Sequence, residues 1–283
     1  MRIAAGAVFT FCCSCVVSIL FAGIGASPLG AETITASGCS VSNSGYLADL
    51  AREYEKRTGV RILLRGGGSV VGLEDLRSGK VDLAASCRVR MSSDPPDIEF
   101  VQVAWDALVF VVHPANPVES ITLDDARALY AGQIVNWKQL KGRDAPVKLF
   151  ISRPQRGLSG VGASLRDMVL KGKDTVRTPH SVSLASTGIV EQMVEKTPDG
   201  FAATGFSSAR KRAVKMLKIN GVQPIKETIA KGSYPLQRPL FILAPKRPKP
   251  AVRRFVDFVL SAEGQRLISG MGALSLSDAP GAR

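Results

Sequence analysis

The sequence predicts an α/β fold made of two lobes, each a β-sheet flanked by helices. Short apolar stretches alternate with segments whose apolar residues recur at the helical period, which is typical of strands and helices that alternate around a parallel sheet. Glycine-rich or polar loops follow several of the predicted strands. An apolar strand near the C-terminus returns the chain after a second run of elements, so we expect two connections between the lobes and a hinge there.

The first lobe is predicted to run strand, helix, strand, helix, strand. The three strands are residues 33–36, 60–64 and 81–85. The first helix carries an apolar stripe formed by Leu47, Leu50, Ala51 and Tyr54. We expect this helix to end at Gly59, because glycine readily adopts the left-handed conformation that follows a helix. The second helix, around Leu73, is expected to end in the same way at Gly79.

The second lobe follows an apolar strand at residues 107–112 and a break at Pro114 and Pro117. We expect helices at residues 124–130, 160–170 and 188–196 and strands at 147–151 and 201–204. The apolar strand 239–244 and a final amphipathic helix around Phe255 return to the first lobe. We therefore assign residues 32–112 and 240–276 to the first lobe, 113–239 to the second lobe, and 277–283 to a flexible tail.

Residues 1–31 are predicted to be a cleaved secretory signal peptide. Arg2 supplies a positive start, residues 7–24 are apolar, and residues 26–31 are small and turn-forming. A retained membrane anchor is the alternative interpretation. No later stretch of the sequence is apolar enough to span a bilayer. We therefore expect a secreted protein.

The strongly basic composition favours an anionic partner. The formal net charge is +13 and the sequence pI is about 9.8, which suits a nucleic acid, a membrane surface or a small acid. Nucleic acid is the least favoured, because aromatic residues are sparse and no helix-turn-helix or zinc-finger spacing is present. The basic runs at 210–212 and 246–249 are interpreted as solvated surface, with docking on an acidic membrane partner as the alternative.

Two glycine-containing loops are typical of anion sites. The segments 66–69 and 159–160 each lead into a predicted helix, where backbone N–H groups and the helix dipole favour a small anion. Arg88 and Arg153 lie in similar loops. Loops that follow strands of an α/β sheet are common ligand sites. These features predict one oxyanion held between the two lobes.

Catalytic and cofactor motifs do not match the sequence. The segment 157–161 lacks the final glycine of a nucleophile elbow. His113 and His180 are isolated, so they do not form a metal-binding spacing with the cysteines. The glycine run fits neither dinucleotide-binding nor P-loop spacing. We therefore expect a binding protein that is not an enzyme and has no metal and no cofactor.

An ordered series of motifs runs from about residue 34 to residue 276. Its members are Leu47–Gly59, Gly67–Ser69, Gly79–Asp82, Asp106–Val118, Tyr130–Trp137, Tyr234–Leu240 and Ala262–Gln265. In these motifs the chain resembles the periplasmic phosphate-binding proteins of ABC importers. The resemblance implies a type II periplasmic-binding-protein fold, with two mixed sheets, a hinge and a cleft between the lobes. It also implies a periplasmic monomer that delivers inorganic phosphate to an ABC transporter permease in the inner membrane.

The resemblance implies a phosphate site on loops of both lobes. The corresponding positions are Cys39, Ser40, Ser69, Ser86, Cys87, Arg88, Asp106, Arg153, Ser159 and Gly160. Arg156 is the alternative to Arg153 as the ligand arginine. Cys87 stands where relatives carry serine or an aspartate that accepts the ligand's proton, which leaves Asp106 as the nearby candidate for that task. Val161 stands where relatives carry threonine, so one hydroxyl donor is missing.

Several alternatives to this assignment stay open. Arg88 is interpreted either as a ligand residue or as an ion-pair partner of Asp82 or Asp106. Asp106 is interpreted as an ion-pair partner of an arginine or as a ligand residue. Sulfate, molybdate and an organic phosphate are alternative ligands, and a sensory or adhesive surface protein is the alternative function.

Cys39 and Cys87 are the two cysteines that follow the predicted signal peptide. Both fall in predicted ligand loops, at the ends of the first and third strands, which are neighbours in this type of sheet. We therefore predict a disulfide between them, since pairing is favoured in an oxidising compartment. Two buried thiols are the alternative.

Overall fold

The structure is a computed structural model that describes residues 32–153 and 158–278. The predicted signal peptide and residues 279–283 of the predicted tail lie outside these residues. The strands are β1 (Thr33–Gly38), β2 (Arg61–Gly66), β3 (Leu83–Ser86), β4 (Ile98–Val112), β5 (Ser120–Ile121), β6 (Lys148–Ser152), β7 (Ser181–Leu184), β8 (Gly200–Gly205), β9 (Lys215–Met216), β10 (Lys218–Ile219) and β11 (Gln237–Pro245).

Helices flank these strands on both faces, as expected of an α/β fold. They are α1 (Ser40–Ser42), α2 (Ala48–Thr58), α3 (Ser69–Arg77), α4 (Leu123–Tyr130), α5 (Gly160–Met168), α6 (Thr187–Glu195), α7 (Phe206–Ala209), α8 (Lys226–Ala230), α9 (Pro250–Leu260) and α10 (Ala262–Gly270). A π-helical segment (Asn43–Leu47) joins α1 to α2, and 3₁₀ turns occupy Trp137–Leu140 and Leu276–Asp278. The last of these turns lies at the start of the predicted flexible tail.

The long strand β4 connects two parts of one mixed sheet. The strand order is β2-β1-β3-β11-β4-β8-β6-β7, with β9 also paired to β4. Residues 98–107 of β4 pair with β11, whereas residues 108–112 pair with β8. We call β1, β2, β3, β11 and residues 98–107 the first sheet half, and β6, β7, β8, β9 and residues 108–112 the second sheet half. The two sheets expected from the sequence are thus joined through one shared strand.

The sequence located most of the strands and helices but missed part of β4. The apolar pattern predicts a strand from Ala107, whereas the strand begins at Ile98. Its first part includes Glu99, Gln102 and Asp106, which interrupt the apolar pattern. The edge strand β7 was missed as well, because Val182 is exposed and no apolar run marks the strand.

Glycines set the geometry where the first two strands end. Gly38 ends β1 with φ 129°, and a Cβ at this position would lie 2.3 Å from the carbonyl oxygen of Ala85. Gly68 precedes α3 with φ 97°, another conformation that favours glycine. The expected helix end at Gly59 is confirmed, with φ 72° in the left-handed region. The chain can therefore turn tightly from β1 and β2 into the loops that follow.

One hydrophobic core extends through both sheet halves. Its buried members include Ile34 and Leu83 in the first sheet half and Phe110 and Phe201 in the second. The rings of Phe110 and Phe201 stack with centroids 5.6 Å apart. Within the described ranges, none of the helices has both the length and the apolar character needed to cross a membrane. Because the core has members in both sheet halves, it supports the whole sheet and the loops around it.

Close packing of α3 against β1 gives a prediction about stability. A Cβ at Gly72 would lie 2.6 Å from the Cα of Gly38, so Gly72→Ala must push α3 away from β1. We expect this substitution to lower the free energy of unfolding by about 1–3 kcal/mol, measured by urea denaturation. The control is Gly270→Ala at the end of α10, where a Cβ meets no atom within 4 Å. Equal stability of the two variants would contradict the prediction.

Candidate functional site

The N-termini of two helices from different sheet halves meet at one point. A Cβ at Gly160, the first residue of α5, would lie 2.4 Å from Ser69 Oγ and 2.5 Å from Cys87 Sγ. Ser69 is the first residue of α3. The first N–H groups of a helix lack intrahelical acceptors and lie at the positive end of its dipole. We call the group formed by Ser40, Ser69, Cys87 and Gly160 the junction site.

Ser40 lies at the edge of the junction site, beside the glycine loop and α6. A Cβ at Gly66 would lie 3.4 Å from Ser40 Oγ, and a Cβ at Gly188 would lie 3.9 Å from the Cβ of Ser40. Gly188 belongs to the first turn of α6, so a third helix N-terminus faces the same region. Four of the ten predicted site residues therefore form the junction site, namely Ser40, Ser69, Cys87 and Gly160, and a fifth, Cys39, adjoins it through Cys87.

Ser86 and Ser159 lie next to the junction site, but their hydroxyl groups serve local turns. Ser86 Oγ donates to the Arg88 carbonyl oxygen at 3.1 Å and accepts from the Arg88 N–H at 3.2 Å. Ser159 Oγ accepts from the Gly162 N–H at 2.9 Å as the N-cap of α5, and it donates to the Ser152 carbonyl oxygen. Both serines therefore shape the loops that present the junction site.

Arg88 is held by a carboxylate that the sequence analysis did not identify. Its Nη1 and Nη2 donate to the two oxygens of Asp94, each at 2.7 Å, and both side chains are buried. Burial alone would raise the pKa of Asp94, but hydrogen bonds from Arg88 and from the Met91 N–H lower it. The alternative interpretation named the wrong partners for Arg88, because Asp82 binds Lys249 and Thr35 and Asp106 binds Arg238. Among the described residues, Arg88 Nε has no hydrogen-bond partner.

Arg153 follows β6 of the second sheet half, and its exposed side chain lines a groove beside Leu158 and Val161. None of the four junction-site residues lines this groove. Other basic residues of this groove are Arg166, Lys173 and Arg177, with Asp174 as the acidic residue. The alternative ligand arginine, Arg156, lies outside the described residues. The role of an arginine from this loop stays a prediction.

Asp106 forms a buried ion pair with Arg238. Asp106 Oδ2 accepts from Arg238 Nε at 3.1 Å and from Nη2 at 2.8 Å, and both side chains are at most 3% exposed. Burial would lower the pKa of Arg238, but the opposing charges of Cys87, Asp106 and Cys39 raise it. Asp106 is therefore the ion-pair partner of an arginine, which was one of its two interpretations. Its carboxylate also accepts from the Ser207 N–H at 2.8 Å.

The sequence analysis did not single out Arg238, Ser164 or Ser207. Arg238 Nη1 donates to Ser164 Oγ at 3.1 Å, and that hydroxyl lies 3.2 Å from the Cys87 carbonyl oxygen. A chain of hydrogen bonds thus leads from the ion pair to the junction site. The sequence did contain a sign of the role of Arg238, because this charge lies next to the apolar run of β11. A charged residue in a buried strand requires a partner.

The two cysteines lie side by side beneath the junction site. Their sulfur atoms are 2.8 Å apart, and both side chains are buried as thiols. Burial would raise the pKa of Cys39, but the hydrogen bond with Cys87, the charge of Arg238 and hydrogen bonds with Ser42 lower it to about 7. The same hydrogen bond, with burial, raises the pKa of Cys87 well above its usual value. The predicted disulfide stays a prediction.

Comparisons with known proteins show what this chain is similar to. The PBP superfamily domain matches residues 25–263. The phosphate-binding protein PstS of Borreliella burgdorferi is 28% identical over 258 residues, covering 87% of this chain and 91% of that protein.

Two solved structures share the fold. One is a phosphate ABC transporter substrate-binding protein of Clostridium perfringens with bound phosphate (TM-score 0.78, 23% identity, covering 87% of this chain and 100% of that chain). The other is an ABC-type phosphate transport receptor of Vibrio cholerae (TM-score 0.66, 26% identity, covering 86% of this chain and 100% of that chain). These similarities confirm the α/β fold expected of type II periplasmic binding proteins.

The buried ion pair gives a prediction about stability. Asp106→Asn leaves the Arg238 guanidinium buried without a carboxylate, so we expect a loss of about 3–5 kcal/mol in the free energy of unfolding. Urea denaturation measures it. The double variant Asp106→Leu/Arg238→Met, which removes both charges, should lose much less stability. As a surface control, Asp124→Asn breaks an exposed pair with Arg127 and should cost about 1 kcal/mol or less. An Asp106→Asn loss as small as that of Asp124→Asn would contradict the prediction.

Proposed function

This chain belongs to the PBP superfamily, and from this premise we propose that it captures inorganic phosphate outside the cytoplasm and delivers it to an ABC importer. The main support for the proposal is that the N-termini of α3 and α5 lie close together at Ser69 and Gly160. The name of the Borreliella burgdorferi relative and the phosphate bound to the Clostridium perfringens protein support phosphate as the ligand. The proposed role is solute binding and involves no catalysis.

Backbone dipoles, rather than the buried arginines, are proposed to hold the anion at the junction site. The buried guanidinium groups of Arg88 and Arg238 are already paired with Asp94 and Asp106. The first N–H groups of α3 and α5 lack intrahelical acceptors, and all but that of Gly162, which Ser159 Oγ caps, suit the oxygens of a tetrahedral anion. Hydrogen bonds to a charged group contribute about 1.5–3 kcal/mol each, so several of them support binding in the micromolar range, about 8 kcal/mol.

Ligand binding is proposed to draw the two sheet halves together. Ser69 belongs to a helix of the first sheet half, whereas Gly160 begins a helix that packs on the second. An anion that accepts hydrogen bonds from both N-termini gains all its contacts only when they are close. Such differential binding shifts the population towards the closed arrangement. This proposal includes three earlier predictions. They are the two lobes, the hinge between them and the delivery of the ligand to a membrane permease.

The residue at position 87 supports weaker discrimination between phosphate and sulfate than a carboxylate would provide. Cys87 has no carboxylate to accept a proton from the ligand. Asp106, the other candidate acceptor, is bound to Arg238 and to the Ser207 N–H. Sulfate, which carries no proton at neutral pH, is therefore the second candidate ligand. Calorimetry with both anions at one pH distinguishes the two candidates.

Gly160 offers a direct test of the proposed site. Gly160→Ala places a Cβ against Ser69 Oγ and Cys87 Sγ, which must separate the N-termini of α3 and α5. We expect phosphate affinity to fall by about tenfold or more in isothermal titration calorimetry, a loss of about 1.4 kcal/mol or more. Gly270→Ala, on the unobstructed end of α10, is the control and should bind as the unaltered protein does. Unchanged affinity of Gly160→Ala would place the ligand elsewhere.

A second test concerns the loop arginine. If Arg153 turns from its groove towards the bound anion, Arg153→Ala should weaken phosphate binding by about tenfold or more, because a charge-assisted pair is lost. Arg166→Ala removes another arginine of the same groove and should leave the affinity unchanged. Equal affinities for both variants, measured by calorimetry, would exclude Arg153 and direct attention to Arg156.

A further inference from the structure

We propose that Cys39 and Cys87 are a reversible redox pair, and that their conversion from dithiol to disulfide tightens anion binding at the adjoining junction site. The redox pair stands on the geometry of the two cysteines alone. The effect on affinity rests on the proposed phosphate function.

The backbone places the two cysteines for pairing. They follow β1 and β3, which are adjacent parallel strands, and the Cys39 N–H donates to the Ala85 carbonyl oxygen at 2.9 Å. Their sulfur atoms are 2.8 Å apart, within 1 Å of the length of a disulfide bond, about 2.05 Å. The sulfur atoms therefore need to approach each other by less than 1 Å to reach bonding distance.

The Cys87 sulfur atom adjoins the first residues of α3 and α5, whose N–H groups are proposed to hold the anion. Cys87 Sγ lies 3.9 Å from Ser69 Oγ, and a Cβ at Gly160 would be 2.5 Å from it. The Cys87 N–H donates to Ser69 Oγ at 3.2 Å. Because Cys39 Sγ lies 2.8 Å from Cys87 Sγ, a charge on Cys39 or a shift of Cys87 acts close to both helix N-termini of the junction site.

Charge gives the direction of the effect. The charged and titratable groups around the pair are Arg238 on β11, Asp106 on β4, and Tyr46, whose pKa is raised by burial. Arg238 and Asp106 compensate each other. Because the pKa of Cys39 is about 7, the reduced pair gains a negative charge as the pH rises through 7. A disulfide carries no charge, so oxidation removes the repulsion between this thiolate and a bound anion.

The proposed oxidant is a disulfide, either of low molecular weight or on an oxidoreductase, as found in oxidising compartments. The Cys39 thiolate attacks one sulfur of the oxidant, which forms a mixed disulfide and releases one thiol. The Cys87 thiolate then attacks Cys39 Sγ and releases the second thiol. The protein loses two protons and two electrons and gains one S–S bond, while the oxidant is reduced to two thiols. Both cysteines are at most 3% exposed, so the first attack requires the site to open.

The experiment compares the exported protein after equilibration in oxidised glutathione and in dithiothreitol. Peptide mapping is expected to find a peptide that links Cys39 to Cys87 in the oxidised sample alone. Calorimetry with inorganic phosphate is expected to show the oxidised form binding about fivefold or more tightly than the reduced form at pH 8. The two forms should agree within about twofold at pH 6, where the thiol is protonated. The variant Cys39→Ser/Cys87→Ser should show no effect of glutathione and reports the pH dependence of the ligand itself.

Absence of the linked peptide in oxidised glutathione would overturn the redox pair. An affinity ratio that is the same at pH 6 and pH 8 would overturn the effect of charge on binding. Both measurements use the unaltered chain, so they hold even if the double variant fails to fold. Failure of both forms to bind phosphate would overturn the proposed function, while the linked peptide would still decide the redox pair independently.

Discussion

The buried ion pair between Asp106 and Arg238 holds the centre of the molecule together. It joins β4 to β11 next to the point where β4 passes from the first sheet half to the second. Two charges buried this deeply are tolerated only when their hydrogen bonds are satisfied. Ser207 and Ser164, from α7 and α5, supply these bonds, so the pair also connects the two sheet halves.

Under the proposed function, this constraint determines how the junction site binds its anion. Because Arg238 and Arg88 are both neutralised by carboxylates, the positive potential at Ser69 and Gly160 comes mainly from oriented N–H groups. Such dipoles are fixed by the helices and need no rearrangement of long side chains. Gly160 is essential here, because a side chain at this position would prevent α5 from approaching α3.

The cysteine pair adds a property that serine or aspartate at position 87 would not provide. Its two thiols share one hydrogen bond, which lowers the pKa of Cys39 and raises that of Cys87. The chemical state of the pair can therefore change near neutral pH and with the redox state of the compartment. Since the Cys87 sulfur lies against the helix N-termini and the Cys39 sulfur lies beside it, this change and anion binding are expected to influence each other.

The sequence by itself determined the order of most strands and helices, the helix end at Gly59 and the loops that carry Ser69, Cys87 and Gly160. These features depend on apolar periodicity and on the conformational freedom of glycine, which are local properties of the chain. Only the tertiary structure decided that Arg88 pairs with Asp94, that Asp106 pairs with Arg238 and that β4 begins at Ile98. Asp106 and Arg238 are distant in sequence, and a carboxylate is acceptable at position 106 of the buried strand because packing supplies Arg238 and the Ser207 N–H as partners. Local patterns carry no information on such pairings, since they form only when the sheet brings remote segments together.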